Sequence, residues 1–379
     1  MTHLFVTNDF PPKIGGIQTM LWELWRRLDP GSFVVLTTPH ADAAAWDAEQ
    51  PFRVVRTAQK VLLPTSGLRR QVESLAREIG ATQVVLDPAL PVGLLGPRLR
   101  DVAYGVVVHG AEVTVPGRLP LARPLLGRVL RGAGLVVSAG GYPLAEATRA
   151  AGRALPSALV PPGVDTDRFV PLTPEERNAA RTRLGLPVDG RLVVSVSRLV
   201  PRKGMDVLIE AAGLLAPTHP DLCVAIGGTG RDHPRLAKLI GRTGAPVRLL
   251  GRVDHDDLPA LYGCGDVFAM LCRNRWAGLE QEGFGIVFLE AAAAGVAQVA
   301  GNSGGAAEAV VDGETGYVVR DPSDPAAVAE RLAALLDDPD GRERMGRAGR
   351  ERAVRDFSYD VLAGRLGAAL AAWEADRSG

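Results

Sequence analysis

The sequence predicts an α/β protein made of two doubly wound halves, and three observations predict it. Short apolar, β-rich runs alternate with segments of helical period along the whole chain. Near the middle Pro161-Pro162-Gly163 interrupts that alternation with a stiff crossover, after which it restarts. A length of 379 residues suits two domains better than one.

Composition narrows the classes. Hydrophobic residues make up 46% and charged residues 23%, which allows a sizeable core and excludes wholesale disorder. The 43 basic residues balance 43 acidic ones, so a general nucleic-acid partner is not expected. Cys223, Cys264 and Cys272 form neither a metal-ligand spacing nor an even disulfide framework, which fits a reducing cytoplasm. The first strand starts almost at Met1, so no signal peptide is expected. No apolar run approaches the roughly 20 residues of a membrane span.

In the first half, residues 3–7 form a strand, 8–16 a glycine-bearing loop and 17–28 a helix. The loop is not G-x-G-x-x-G, and that fingerprint occurs nowhere, which disfavours a dinucleotide-dependent dehydrogenase. Gly15-Gly16 still suits close approach by a phosphate or a sugar. Strands follow at 33–37, 54–55, 83–86, 104–108, 135–138 and 159–160, with a helix at 68–79. His109 stands at the carboxyl end of the 104–108 strand, where open α/β sheets bind ligands, and it can donate or accept a hydrogen bond. An ordinary structural histidine is the other reading.

The second half opens with a helix at 173–184 and a strand at 192–196. The loop after that strand carries Arg198 and Lys203, two cations that could clamp a diphosphate or simply be solvated surface charge. A helix at 205–215 and strands at 222–226, 247–250 and 267–271 follow; the second of these leads into Gly251-Arg252-Val253. Asp254-His255-Asp256-Asp257 reads as acidic caps and dipole partners of a helix rather than a metal site. Beyond a helix at 306–311, a strand at 317–319 precedes helices at 326–336, 342–356 and 361–375.

Between residues 282 and 295 lies the densest pattern, Glu282-Gly-Phe-Gly-Ile-Val-Phe-Leu-Glu290 followed by Ala291–Gly295. Glycines run into an apolar helix start, whose first amides lack intrahelical acceptors and form a ready anion site. Glu282 falls in the loop and Glu290 in the second turn. Near a diphosphate both carboxylates would serve better as acceptors for sugar hydroxyls. The alternative is an ordinary core helix with two solvated glutamates. Phosphate-compatible loops in both halves imply a ligand cleft between domains.

Taken together, VPPGVDTDRF, SRLVPRKG and EGFGIVFLE, in that order along the chain, resemble the retaining GT-B glycosyltransferases of family four over essentially the whole chain. More narrowly, NDFPPKIGGIQ and LEQEGFGIVFLEA are similar to the actinobacterial phosphatidylinositol mannosyltransferases. The resemblance implies two Rossmann-like domains facing across a cleft. One is an acceptor-side domain of residues 1–165 plus a C-terminal helix, 358–379; the other, 166–357, binds the donor. It implies that Arg198 and Lys203 bind the donor diphosphate, with amides of Gly285, Ile286 and Val287 adding hydrogen bonds. Glu282 would hold sugar hydroxyls, Glu290 the ribose, and backbone at Arg252 and Val253 the base. Gly16 would lie near the diphosphate, and Asp9 and His109 would face the transferred sugar and the acceptor.

The implied reaction is transfer of mannose from GDP-mannose to a phosphatidylinositol mannoside-type lipid, with retention and without a required metal or other cofactor. UDP-glucose or UDP-N-acetylglucosamine with a soluble acceptor is the first alternative, and a non-catalytic nucleotide-sugar-binding protein the second. Three departures from the family pattern stand out: Gln18 where many relatives have glutamate, Ala297 where proline is common, and Trp276 with Glu280-Gln281 before the motif. Separately, the basic, leucine-rich segment 117–131 reads either as a peripheral contact with an anionic membrane or as a helix packed on the sheet.

Overall fold

The computed structural model of the chain describes residues Thr2–Ser378. They form two compact units, one running to Gly163 and resuming at Tyr359, the other Val164–Ser358.

In the first unit seven parallel strands make one sheet: β1 (His3–Thr7), β2 (Phe33–Thr37), β3 (Arg53–Arg56), β4 (Gln83–Asp87), β5 (Ala103–Val108), β6 (Val136–Ser138) and β7 (Ser157–Leu159). Their spatial order is β3-β2-β1-β4-β5-β6-β7. A parallel sheet is covered on both faces, so its strands are apolar throughout. Successive residues divide between the two layers: Leu4 and Val6 enter one core, and Phe5 enters the other. Phe5 stacks on Trp25 with ring centroids 3.8 Å apart. The terminal helix Tyr359–Ser378 completes that second layer with Leu362, Leu366, Leu370 and Trp373.

The second unit repeats the plan with β8 (Leu192–Val196), β9 (Cys223–Gly227), β10 (Val247–Gly251), β11 (Val267–Met270), β12 (Ala297–Gly301) and β13 (Gly316–Val319). Their order is β10-β9-β8-β11-β12-β13, and every pairing is parallel. Its first helix, Pro174–Arg183, starts on a complete capping box between Thr173 and Glu176. In each sheet the winding reverses beside the first strand, between β1 and β4 and between β8 and β11. The crevice outside the carboxyl ends at such a switch point is where ligands bind in this architecture.

Some elements differ from the sequence expectation. The helix read over 17–28 runs Gly16–Trp25; the Arg26 amide makes the last i→i−4 bond, to the Trp22 carbonyl, and the Leu28 amide then turns to the Trp25 carbonyl in a tighter i→i−3 bond. The 117–131 segment is not one helix. It comprises the end of Ala111–Arg118, a break, and most of Arg123–Gly132, whose first turn holds Pro124. Leu126, Val129 and Leu130 pack in the core while Leu119, Leu121 and Leu125 are exposed. The packed-helix reading therefore describes Leu126, Val129 and Leu130 and not the exposed leucines.

Asp254 and Asp257 also need correction, since neither side chain caps a helix. Asp257 already has αR backbone, outside the extended region from which a cap oxygen reaches back, and Arg183 takes its carboxylate. His255 is held by Arg168.

Candidate active site

The loop after β8 and the loop after β11 meet at the switch point of the second unit. Lys203, only 7% exposed, donates from Nζ to Glu282 Oε2 at 2.7 Å. Arg202 pairs with the same oxygen, and the Cys272 thiol lies 3.3 Å from it. Glu282 is thus the shared counterion of two cations. Burial pushes its carboxyl up, but Lys203 and Arg202 outweigh that and hold it at about 2.

Its backbone is pinned as firmly. The Glu282 amide donates to Ser303 Oγ at 3.2 Å, and its carbonyl accepts from the Gly305 amide at 3.1 Å. The Gly304-Gly305 pair permits this approach, since a Cβ at Gly304 would overlap the Glu282 carbonyl oxygen.

Gly285 caps the helix Ile286–Ala293 from the left-handed region, with φ of 89°. This φ turns the glycine loop abruptly into the helix, whose first amides have no intrahelical acceptor. Glu290 lies in the second turn with a separate partner: the Tyr262 hydroxyl donates to its Oε2 at 2.6 Å. Burial raises the Glu290 carboxyl, while the Tyr262 hydrogen bond and the charge of Arg168 work the other way. Arg198 is exposed, and its guanidinium has no hydrogen-bond or ion-pair partner among the described residues. Val253 is half-buried and packs at Gly227, beside the turn where the Gly228 amide bonds the Gly251 carbonyl at 2.6 Å.

In the first unit Asp9 and His109 lie on loops at the carboxyl edge of the sheet. Gly16 opens its helix. Asp9 Oδ1 accepts from Lys13 Nζ at 2.7 Å and from Gln18 Nε2 at 2.5 Å. A glutamate at position 18 would face Asp9 with like charge, whereas Gln18 donates to it. His109 Nε2 lies 2.6 Å from Asp87 Oδ1.

Sequence reasoning missed Arg202, Asp87, Tyr262 and Ser303. Arg202 had a signal, a second cation beside Lys203. Asp87 had a weaker one, an acid closing the apolar run Gln-Val-Val-Leu-Asp. Tyr262 and Ser303 had none.

Two doubly wound parallel sheets, each with a polar cluster at its switch point, define the GT-B class of glycosyltransferases. The structure of HepE from Anabaena, solved with UDP, superposes with a TM-score of 0.82 over 98% of this chain and all of that one, at 21% identity. The family described as "Glycosyl transferases group 1" matches residues 176–352. The GDP-mannose-dependent monoacylated alpha-(1-6)-phosphatidylinositol monomannoside mannosyltransferase of Corynebacterium glutamicum is 37% identical over 96% of each chain. The GDP-mannose-dependent alpha-(1-6)-phosphatidylinositol monomannoside mannosyltransferase of Mycobacterium tuberculosis is 41% identical, again over 96% of each. The chain belongs to the group 1 glycosyltransferase family, alongside these actinobacterial mannosyltransferases.

Proposed function

We propose that the protein transfers mannose from GDP-mannose to a phosphatidylinositol mannoside-type lipid, with retention of anomeric configuration. The observation that carries this reading is the likeness, over 96% of both partners, to relatives bearing that activity in their names.

In this proposal the second unit holds the donor. Arg198 and Lys203 take the diphosphate, joined by amides of Gly285, Ile286 and Val287; Glu290 takes the ribose, and backbone at Val253 the base. Glu282 keeps Lys203 placed and offers its remaining oxygen to a sugar hydroxyl. The first unit supplies Gly16, Asp9 and His109 towards diphosphate, sugar and acceptor. The bond from C1 of mannose to the leaving phosphate breaks as a bond to the acceptor oxygen forms on the same face. The acceptor's hydroxyl proton passes to the departing phosphate oxygen. Fixed cations stabilise the charge that develops there, which is work a metal performs in other transferases.

Thermal unfolding with GDP, UDP and ADP tests the donor. GDP at about 100 times its dissociation constant adds about 2.7 kcal/mol and raises the midpoint by several degrees. Stabilisation by UDP with none by GDP would overturn the mannosyl reading in favour of a UDP-sugar enzyme. Transfer of labelled mannose to a phosphatidylinositol mannoside separates an enzyme from a binding protein.

A lipid acceptor calls for access to a membrane surface, and among the described residues no helix is long and apolar enough to cross one. Peripheral contact at the cytoplasmic face is proposed through exposed Leu119, Leu121 and Leu125 with Arg123 and Arg128 nearby. Pelleting with vesicles containing anionic lipid is expected at low salt and should weaken at high salt. No pelleting at low salt would remove this part of the proposal.

A further inference from the structure

Asp87 ends β4, paired in register with Thr7 at the end of β1. Its side chain is fully buried, and both oxygens are used. Oδ2 accepts from Thr7 Oγ1 at 2.6 Å, and Oδ1 meets His109 Nε2 at 2.6 Å. Thr7 Oγ1 in turn accepts from the Asp9 amide at 2.8 Å. One carboxylate therefore ties together the two loops that carry Asp9 and His109. A buried carboxylate is costly unless it is paired and hydrogen-bonded, so this placement needs a reason beyond packing.

We propose that Asp87 is a positioning residue: it turns His109 so that Nδ1 faces the ligand, and through Thr7 it fixes the loop bearing Asp9. The inference rests on the reading of His109 as a ligand-facing residue of the transferase.

Because Nε2 is committed to Asp87, Nδ1 is the nitrogen left for chemistry. The carboxylates facing the ring are Asp87 from β4, Glu112 from the helix Ala111–Arg118, and Asp9 from the loop after β1. Glu112 also accepts from the backbone amides of His109 and Gly110. Burial pushes the imidazole down, but Asp87, Glu112 and Asp9 outweigh it and raise its pKa to about 9. At neutral pH the ring is an imidazolium that donates from Nδ1 to an oxygen of the sugar nucleotide. In that state it does not serve as a base.

The test joins an NMR titration of the His109 ring in the wild-type chain to pH–rate profiles of Asp87→Asn and Thr7→Val. The wild-type ring should titrate near pH 9, and activity should fall only as pH rises through that value. In Asp87→Asn both should move down towards about 6.5, with transfer at pH 7.5 cut by about 10-fold or more and recovering as pH is lowered. Thr7→Val should lower kcat/KM while leaving the pH limb in place. A wild-type ring that titrates near 6.5, or an unmoved limb in Asp87→Asn, overturns the proposal. The ring titration needs neither variant nor donor, so it still decides the matter if the wild-type chain transfers mannose to nothing.

Discussion

Replacing Arg198 with alanine is expected to cut kcat/KM for transfer by about 10²–10³-fold, the usual loss when one donor to developing negative charge is removed. The folded protein should barely register the change. Arg198 is exposed and its guanidinium has no partner among the described residues, so the midpoint of thermal unfolding should stay within about 2 °C. Loss of activity without loss of stability is the signature of a cation held ready for a ligand. Wild-type activity in this variant would instead return Arg198 to solvated surface charge. Arg198→Lys should recover little, since an ammonium cannot reproduce the planar, two-pronged grip on a diphosphate.

Lys203→Met is expected to fail on both counts. The substitution leaves the buried Glu282 carboxylate with Arg202 as its remaining cation, and breaking a buried pair from one side costs about 3–5 kcal/mol. Transfer should fall at least as far as in the Arg198 variant. Adding Glu282→Gln should restore a large part of the stability and none of the activity, which separates the structural role of the pair from its role towards donor. Additive losses in the double variant would show that the two side chains do not interact.

The pair also fixes an acid response. The folded pKa of Glu282, about 2, lies below its ordinary 4.5, so its stabilisation is complete above pH 4.5 and disappears as pH falls to about 2. That contribution is on the order of 3 kcal/mol. Urea unfolding at pH 6 and pH 3 should show the difference in the wild type and a smaller one in Glu282→Gln.

Much of the fold was legible because parallel strands buried on both faces must be apolar in an unbroken run. The stretches 3–7, 33–37 and 192–196 declare themselves in this way and match β1, β2 and β8 end to end. Gly285 was legible for a similar reason, since a loop that turns sharply into a helix needs the left-handed backbone that glycine supplies.

The partners of the candidate site residues were not. Glu282 meets Arg202 across 80 positions and Asp87 meets His109 across 22, and neither distance has a local period that a sequence displays. Such pairs become neighbours only once the strand order is known. The acidic run at Asp254 misled for the opposite reason. Local chemistry favoured a cap, but Arg183, 74 positions earlier at the end of the helix Pro174–Arg183, takes the Asp257 carboxylate.

The helix Tyr359–Ser378 has a bearing on how the chain is made. It supplies Leu362, Leu366, Leu370 and Trp373 to the core of a unit whose other residues end at Gly163. On the ribosome, the part of that apolar layer beyond the helix Gly16–Trp25 lies uncovered while almost 200 intervening residues, Val164–Ser358, are synthesised. At about 5–20 residues per second the wait lasts on the order of ten seconds or more. During it the second unit can finish folding ahead of the first. The unit synthesised earlier is therefore the later to be completed, and a nascent chain stalled within the second unit presents chaperones with the part of the first sheet that the helix Tyr359–Ser378 would cover.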